Sequence, residues 1–434
     1  MIYALKGDIA YSKNLNELCT FKNHYLICDG KKSLGVFKTI PKKFRVSKTY
    51  NFSDKLIIPG LVDMHLHAPQ YSFIGMRMDL ELIDWLNTNT FPEEAKYKNK
   101  KYAANAYKIF ASDLKESATT RFVCFATLHY DATSILFDLL EKTGLKGYVG
   151  KVNMDRNSTK ELSETKEDSI KNTLKLIKKV SKNKNVKYII TPRFIPSCSN
   201  ELLRELGKIS KEYDLPIQSH LSENRSEVLW VKDLLPESKS YADAYHMFEL
   251  FGEHTNTVMA HCVWCNEIDM KLMENNKIWV AHSPSSNRNL SSGNAPIREY
   301  LDRNINVGLA TDVAGGSYLS MFRTIEDTIT TSKLKWLETD VEKEKNTSTK
   351  ELNSLKFNEA FYLATRGGGS FFDDNDTKVG SLAEGFDFDC LVLDDKNFDT
   401  TLYKELTIEE RLERFMYRPN EKLVAKFVAG KKII

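Results

Sequence analysis

Two histidines, His65 and His67, stand one residue apart in Leu-Ile-Ile-Pro-Gly-Leu-Val-Asp-Met-His-Leu-His-Ala-Pro-Gln, residues 56–70. In an extended strand alternate side chains share a face, so both imidazoles can meet one metal ion. A polar strand face would give the same pair, and the pair gains meaning only from the strand ends further along the chain. Four later apolar runs that read as strands also end in or are followed by a polar residue: Arg193 at the end of 187–193, His220 after 215–219, His261 after 256–260 and Asp312 after 305–311. Buried histidines need partners, and several in one place find them most readily around a cation. Three histidines and an aspartate suit a divalent ion such as zinc with one position left for water, which then ionises near neutral pH. Glu223, three residues beyond His220, is placed to shuttle a proton. Asp312 is placed both to ligate and to accept one. As isolated residues Glu223 could equally be a helix-terminal carboxylate and Asp312 a helix cap.

The elements that must position these residues alternate. Candidate strands at 56–62, 121–126, 145–152, 187–193, 215–219, 256–260, 277–281 and 305–311 are separated by helical stretches. Ala103, Tyr107, Phe110 and Leu114 form one apolar stripe, and Ile170, Leu174, Ile177 and Val180 a second. Leu202, Leu203, Leu206, Ile209 and Tyr213 form a third. Eight strand–helix units predict a (β/α)8 TIM-like barrel, whose C-terminal strand ends converge on one face where active sites are built. A doubly wound open sheet is the alternative, but no Gly-x-Gly-x-x-Gly follows a strand. Residues 1–58 and 378–434 read as short strands and turns, including Val379–Leu382, and predict a small β-sandwich domain made by both ends of the chain around a 59–377 barrel. The charged stretch 337–356 reads as exposed loop or frayed helix.

Composition narrows the class. Hydrophobic residues make 41% and charged residues 28% of the 434, with Lys+Arg 62 against Asp+Glu 59 and a net charge of +3. No charge field favours nucleic acid or an anionic membrane, and no stretch approaches the ~20 apolar residues of a membrane span. The seven cysteines are odd in number and unevenly spaced, and no secretory leader is evident, so the expectation is a cytoplasmic protein with reduced thiols. Cys262-Val-Trp-Cys265 lacks the second pair of a zinc ribbon and reads as ordinary thiols. His129 and His282 also end strands and read as outer partners rather than ligands. Among the tryptophans only Trp85 is a candidate for a binding surface.

At these residues the chain resembles the amidohydrolase superfamily, and within it the branch that deaminates guanine. The matching segments are Pro59–Phe73, Trp85-Leu86, Thr90–Ala95, Gly150–Asp155, Thr191-Pro-Arg-Phe194, Gln218–Val228, Val258–His261, Ala281–Asn287 and Thr311–Gly316. The resemblance implies hydrolysis of guanine to xanthine and ammonia by a cytoplasmic homodimer holding one Zn2+ per chain, with iron as the other ion that imidazole suits. It implies that His65, His67, His220 and Asp312 hold the metal, that Glu223 protonates the purine and Asp312 takes a proton from water, and that His261 orients that water. It further implies substrate contacts from Gln70, Arg193 and Phe194 beside His67, His220, Glu223 and Asp312. The chain departs from its relatives at Cys262, Ser283 and Arg366. The alternatives are another mononuclear aminohydrolase, acting on a pterin, triazine or modified purine, and a silent relative serving as a scaffold.

Overall fold

The computed structural model describes residues 1–343, 353–395, 405–417 and 422–434. The chain begins with β1 (Tyr3–Ser12), β2 (Leu18–Cys28), β3 (Ser33–Phe37) and β4 (Lys48–Pro59). Eight strands follow, each but the last separated from the next by helix or turn: β5 (Leu61–His67), β6 (Thr119–Phe125), β7 (Lys146–Gly150), β8 (Val186–Tyr188), β9 (Ile217–Leu221), β10 (Thr257–His261), β11 (Ile278–His282) and β12 (Asn306–Leu309). The chain closes with β13 (Cys390–Leu393), β14 (Leu423–Val428) and β15 (Lys431–Lys432).

The strands form a mixed α/β architecture. β5 to β8 make one four-stranded parallel sheet in chain order, and β9 to β12 a second. Backbone bonds also cross between these sheets at both edges. Gln218 N donates to Ile190 O at 2.9 Å, and Asp312 N donates to His65 O at 2.9 Å. Every residue of β5, β6, β9, β10 and β11 is buried, as in strands covered on both faces. Val62, Met64, Val123, Ile189, Val258, Ala260, Ala281 and Ala310 form one apolar cluster on the strands. A larger cluster packs the strands against helices such as Lys100–Glu116 and Asn200–Tyr213.

The two ends of the chain meet in a single seven-stranded sheet ordered β15-β14-β13-β4-β1-β2-β3. β13 adds antiparallel to β4, so the C-terminal strands continue the N-terminal sheet, and the sheet curls until Phe427 of β14 stacks on Tyr3 of β1 with ring centroids 5.9 Å apart. Two buried basic side chains tie this sheet to the parallel strands. Arg121 on β6 donates from Nε to Asp389 at 2.6 Å and from Nη2 to Asp387 at 2.7 Å. Lys426 on β14 donates to the carbonyls of Lys115 and Thr119.

Several expectations need correction. The apolar run 56–62 is not one strand: Leu56–Pro59 ends β4 in the terminal sheet, and β5 begins at Leu61. Gly60 is the break, because a Cβ there would lie 2.1 Å from the Thr120 hydroxyl. Val379–Leu382 forms no strand. Tyr213, at the end of its helix, is exposed. The helix Lys166–Val180 buries Ser169, Thr173, Leu176, Ile177 and Val180, so Ile170 and Leu174 lie at the margin of its packed face. The stretch 337–356 starts within a helix, Met321–Lys343, and its residues 344–352 lie outside the described residues. No helix among the described residues is long and apolar enough to cross a membrane.

Candidate active site

The ends of β5, β9 and β10 and the turn after β12 bring five side chains together. His65 Nε2 lies 3.1 Å from His67 Nε2, and His67 Nε2 lies 3.3 Å from His220 Nε2. Asp312 Oδ1 lies 3.1 Å from His65 Nε2 and 3.4 Å from His67 Nε2. These separations match the edge of a tetrahedron around an ion held at ~2.0–2.1 Å, which is about 3.3–3.4 Å. His261 completes the wall, with Nε2 3.7 Å from Asp312 Oδ2 and 3.3 Å from Glu223 Oε2. His261 and Asp312 both leave their strands in the left-handed backbone region, at φ 72° and 46°. Non-glycine residues adopt it only where the surroundings enforce it.

The donor set fits a divalent cation. Burial, reinforced by mutual repulsion, pushes the His67 and His220 imidazoles well below their usual range, and burial also lowers His65. Neutral rings offer lone pairs. His220 Nδ1 contacts the Arg193 carbonyl at 2.6 Å, which requires Nδ1–H to donate and leaves Nε2 bare. His261 Nδ1 is similarly spent on Asn287 Oδ1 at 2.8 Å. The bare Nε2 of His220 lies 3.3 Å from His67 Nε2, which in turn lies 3.1 Å from His65 Nε2, and a cation among them would let all three rings present lone pairs. For Asp312 burial raises the pKa, but the imidazoles of His65 and His261 and the Ser286 hydroxyl outweigh it and hold the carboxyl at about 2.

Glu223 has the opposite character. Burial, then the neighbouring Glu227 and Asp312 carboxylates, push it well above the usual carboxylate range, which favours its protonated form. Its position follows from local sequence. Asn224 caps the helix Arg225–Leu234 in a reciprocal box, and Glu227 Oε2 accepts from the backbone N–H of both Glu223 (3.0 Å) and Asn224 (3.3 Å). The chain after β9 is thereby fixed with Glu223 aimed at His261.

These residues line a cavity of about 440 Å³ that opens to solvent, with His67, Gln70, Arg193, Phe194, His220, Glu223, His261 and Asp312 in its wall. His65 sits against them, fully buried. Leu82, Trp85, Leu86 and Leu290 supply the apolar part of the wall. Cys262, Ser283, Arg366, His129 and His282 are not part of that lining. Arg366 is instead paired with Asp373.

Two buried acids that position these groups were missed in the sequence. Glu94 accepts from Arg193 Nη1 at 2.8 Å, from Arg193 Nη2 at 3.2 Å and from Gln70 Nε2 at 3.1 Å. Asp63 accepts from Thr311 N at 3.0 Å and Thr311 Oγ1 at 2.6 Å, tying the His65 strand to the residue before Asp312. Burial raises Asp63 to about 6 against those hydrogen bonds. Glu94 stands in the Phe-Pro-Glu-Glu segment and Asp63 two residues before His65, so position in the motif was the available signal.

The chain belongs to the amidohydrolase family, whose model matches residues 56–432. Its curated relatives are more particular. It is 37% identical to a guanine deaminase of Dictyostelium discoideum over 388 residues, covering 88% of this chain and 83% of that one. It is also 37% identical to guanine deaminase of Homo sapiens over 391 residues, with the same coverage. The crystal structure of guanine deaminase from C. acetobutylicum, with guanine bound in the active site, superposes with a TM-score of 0.93 at 42% identity over the whole of both chains.

Proposed function

We propose that this chain is a guanine deaminase, hydrolysing guanine to xanthine and ammonia. The observation that carries the reading is one cavity in which Arg193, Gln70 and the Phe194 ring face the His65–His67–His220–Asp312 cluster and Glu223, whose buried setting favours the protonated carboxyl. An arginine and an amide hydrogen-bond the polar edge of a purine, and Phe194 offers a ring for the base to pack against. Relatives that are guanine deaminases over most of their length support the same substrate.

The reaction consumes one water. Its oxygen becomes the C2 carbonyl of xanthine as the exocyclic C–N bond breaks. One of its protons stays on the ring nitrogen beside C2, and the other leaves with the amino group as ammonia. Glu223 donates to that ring nitrogen, which makes C2 electrophilic. Asp312, deprotonated at neutral pH, accepts the proton of the attacking water. His261, 3.3 Å from Glu223, orients the water and stabilises charge at C2. His65, His67, His220 and Asp312 hold one zinc ion per chain in this reading, with iron the other ion that imidazole suits. Such an ion supplies Lewis acidity that makes water nucleophilic at neutral pH. Arg193 stands after β8, where a bridging modified lysine would serve a second ion.

The eight parallel strands are read as a closed (β/α)8 barrel, supported by the backbone bonds that cross at both sheet edges. Residues 59–377 form its domain, and 1–58 with 378–434 the appended β domain. A homodimer and a cytoplasmic location complete the reading, tested by light scattering and by cell fractionation. The activity is tested by comparing turnover of guanine with that of pterin, triazine and adenine substrates. Guanine should be preferred strongly, because a buried polar wall left unpaired by a poorer partner is costly. Negligible xanthine formation would reject the assignment.

A further inference from the structure

We propose that Glu94 is the specificity-determining residue that makes this cavity select a neutral purine and reject an anionic one. The inference rests on the guanine reading above. Glu94 is 1% exposed and 99 residues from Arg193 in sequence, yet both its oxygens accept from the guanidinium while one also accepts from Gln70. Arg193 is itself 3% exposed and lies over the Phe91 ring at 5.3 Å. A buried guanidinium in a cavity wall would otherwise attract carboxylates, phosphates and ionised purines. The Glu94 carboxylate cancels that charge while leaving the guanidinium's remaining N–H groups available as donors. It also fixes the Gln70 amide. With Nε2 committed to Glu94, Oε1 turns toward Ala314 N, 3.4 Å away. The wall therefore presents a fixed pattern of donors and an acceptor with no net charge.

The chemistry of the reaction gives this neutrality a purpose. Guanine enters uncharged, whereas xanthine loses a proton more readily than guanine as pH rises. A neutral wall binds the substrate and does not retain the ionised product. Glu94 touches neither the reacting carbon nor the histidine cluster, so it acts through Arg193 and Gln70 as a positioning residue.

The test uses full-length protein and two variants, E94Q and E94D, with urate as the anionic probe. In E94Q the guanidinium loses its counter-charge. KM for guanine should rise about ten-fold or more with kcat changed by less than about three-fold, while urate inhibits about ten-fold more tightly. E94D keeps the charge but shortens the reach: KM should rise with no gain in urate inhibition. A loss of packing alone would weaken both ligands together. Urate inhibition unchanged or weakened in E94Q would overturn the proposal. The unaltered protein provides a check that does not need E94Q to fold, since inhibition by xanthine should weaken as pH rises through xanthine's ionisation. Inhibition that strengthens over that range would also overturn it. Failure of the unaltered protein to form xanthine would instead reject the guanine assignment, and so the two failures are distinguishable.

Discussion

Replacing Glu223 by glutamine removes one proton donor and almost nothing else. The amide is isosteric, and the backbone N–H of residue 223 stays bonded to Glu227 at 3.0 Å, so the turn after β9 is preserved. The His65–His67–His220–Asp312 cluster gains no new contact. What disappears is an acid whose pKa burial, Glu227 and Asp312 raise well above the ordinary carboxylate range. A positioned general acid contributes typically about 10²–10⁴ in rate, or about 2.7–5.4 kcal/mol at 1.36 kcal/mol per decade. Xanthine formation should therefore fall by about two to four decades in kcat, with metal content unchanged. The pH profile adds a second readout. A raised pKa means the active, protonated form is full at low pH and is lost as pH rises through that pKa. The alkaline limb of kcat/KM should belong to Glu223 and vanish in the residual activity of E223Q. Turnover within about three-fold of the original, or an alkaline limb that persists in E223Q, would refute the acid role.

Two further substitutions probe the scaffold. Asp63→Ala leaves the buried Thr311 N–H without its acceptor and frees the chain that carries Asp312. Metal affinity, followed by competition with a chelator, should fall about 10- to 100-fold, the usual cost of losing an outer partner. An unchanged affinity would remove Asp63 from the account. Arg121→Met strips the cation from Asp387 and Asp389, and breaking a buried pair from one side costs about 3–5 kcal/mol. A urea midpoint showing less than about 1 kcal/mol of loss would contradict it. Arg121→Met combined with Asp389→Asn should recover part of the deficit.

Much of the site was legible because its residues follow apolar strands. His65, His67, His220, His261 and Asp312 each end or follow a run whose strand character shows in composition, and parallel strands covered on both faces read as unbroken apolar segments. The structure brings all five together. What the sequence hid was partnership across distance. Glu94 looks like an ordinary acid in the first turn of a short helix, and only the fold places Arg193 against it. Asp63 sits in the motif itself, yet its acceptor role depends on Thr311, 248 residues away. The break at Pro59-Gly60 is visible in the sequence, but not that the two halves of 56–62 join different sheets. Glycine is needed there because Thr120 on a neighbouring strand approaches too closely for a Cβ. The edge pairing of β13 with β4, which joins both ends of the chain in one sheet, likewise leaves no local trace.

In the proposed mechanism the three histidines and Asp312 hold one ion that serves guanine hydrolysis. The most direct test measures xanthine formation and divalent metal on the same purified sample, before and after chelation and after readdition of zinc. About one ion per chain is expected, with activity lost with the ion and restored with it, as an open four-ligand site implies. Guanine turnover that survives full removal of metal, or two ions per active chain, would contradict it.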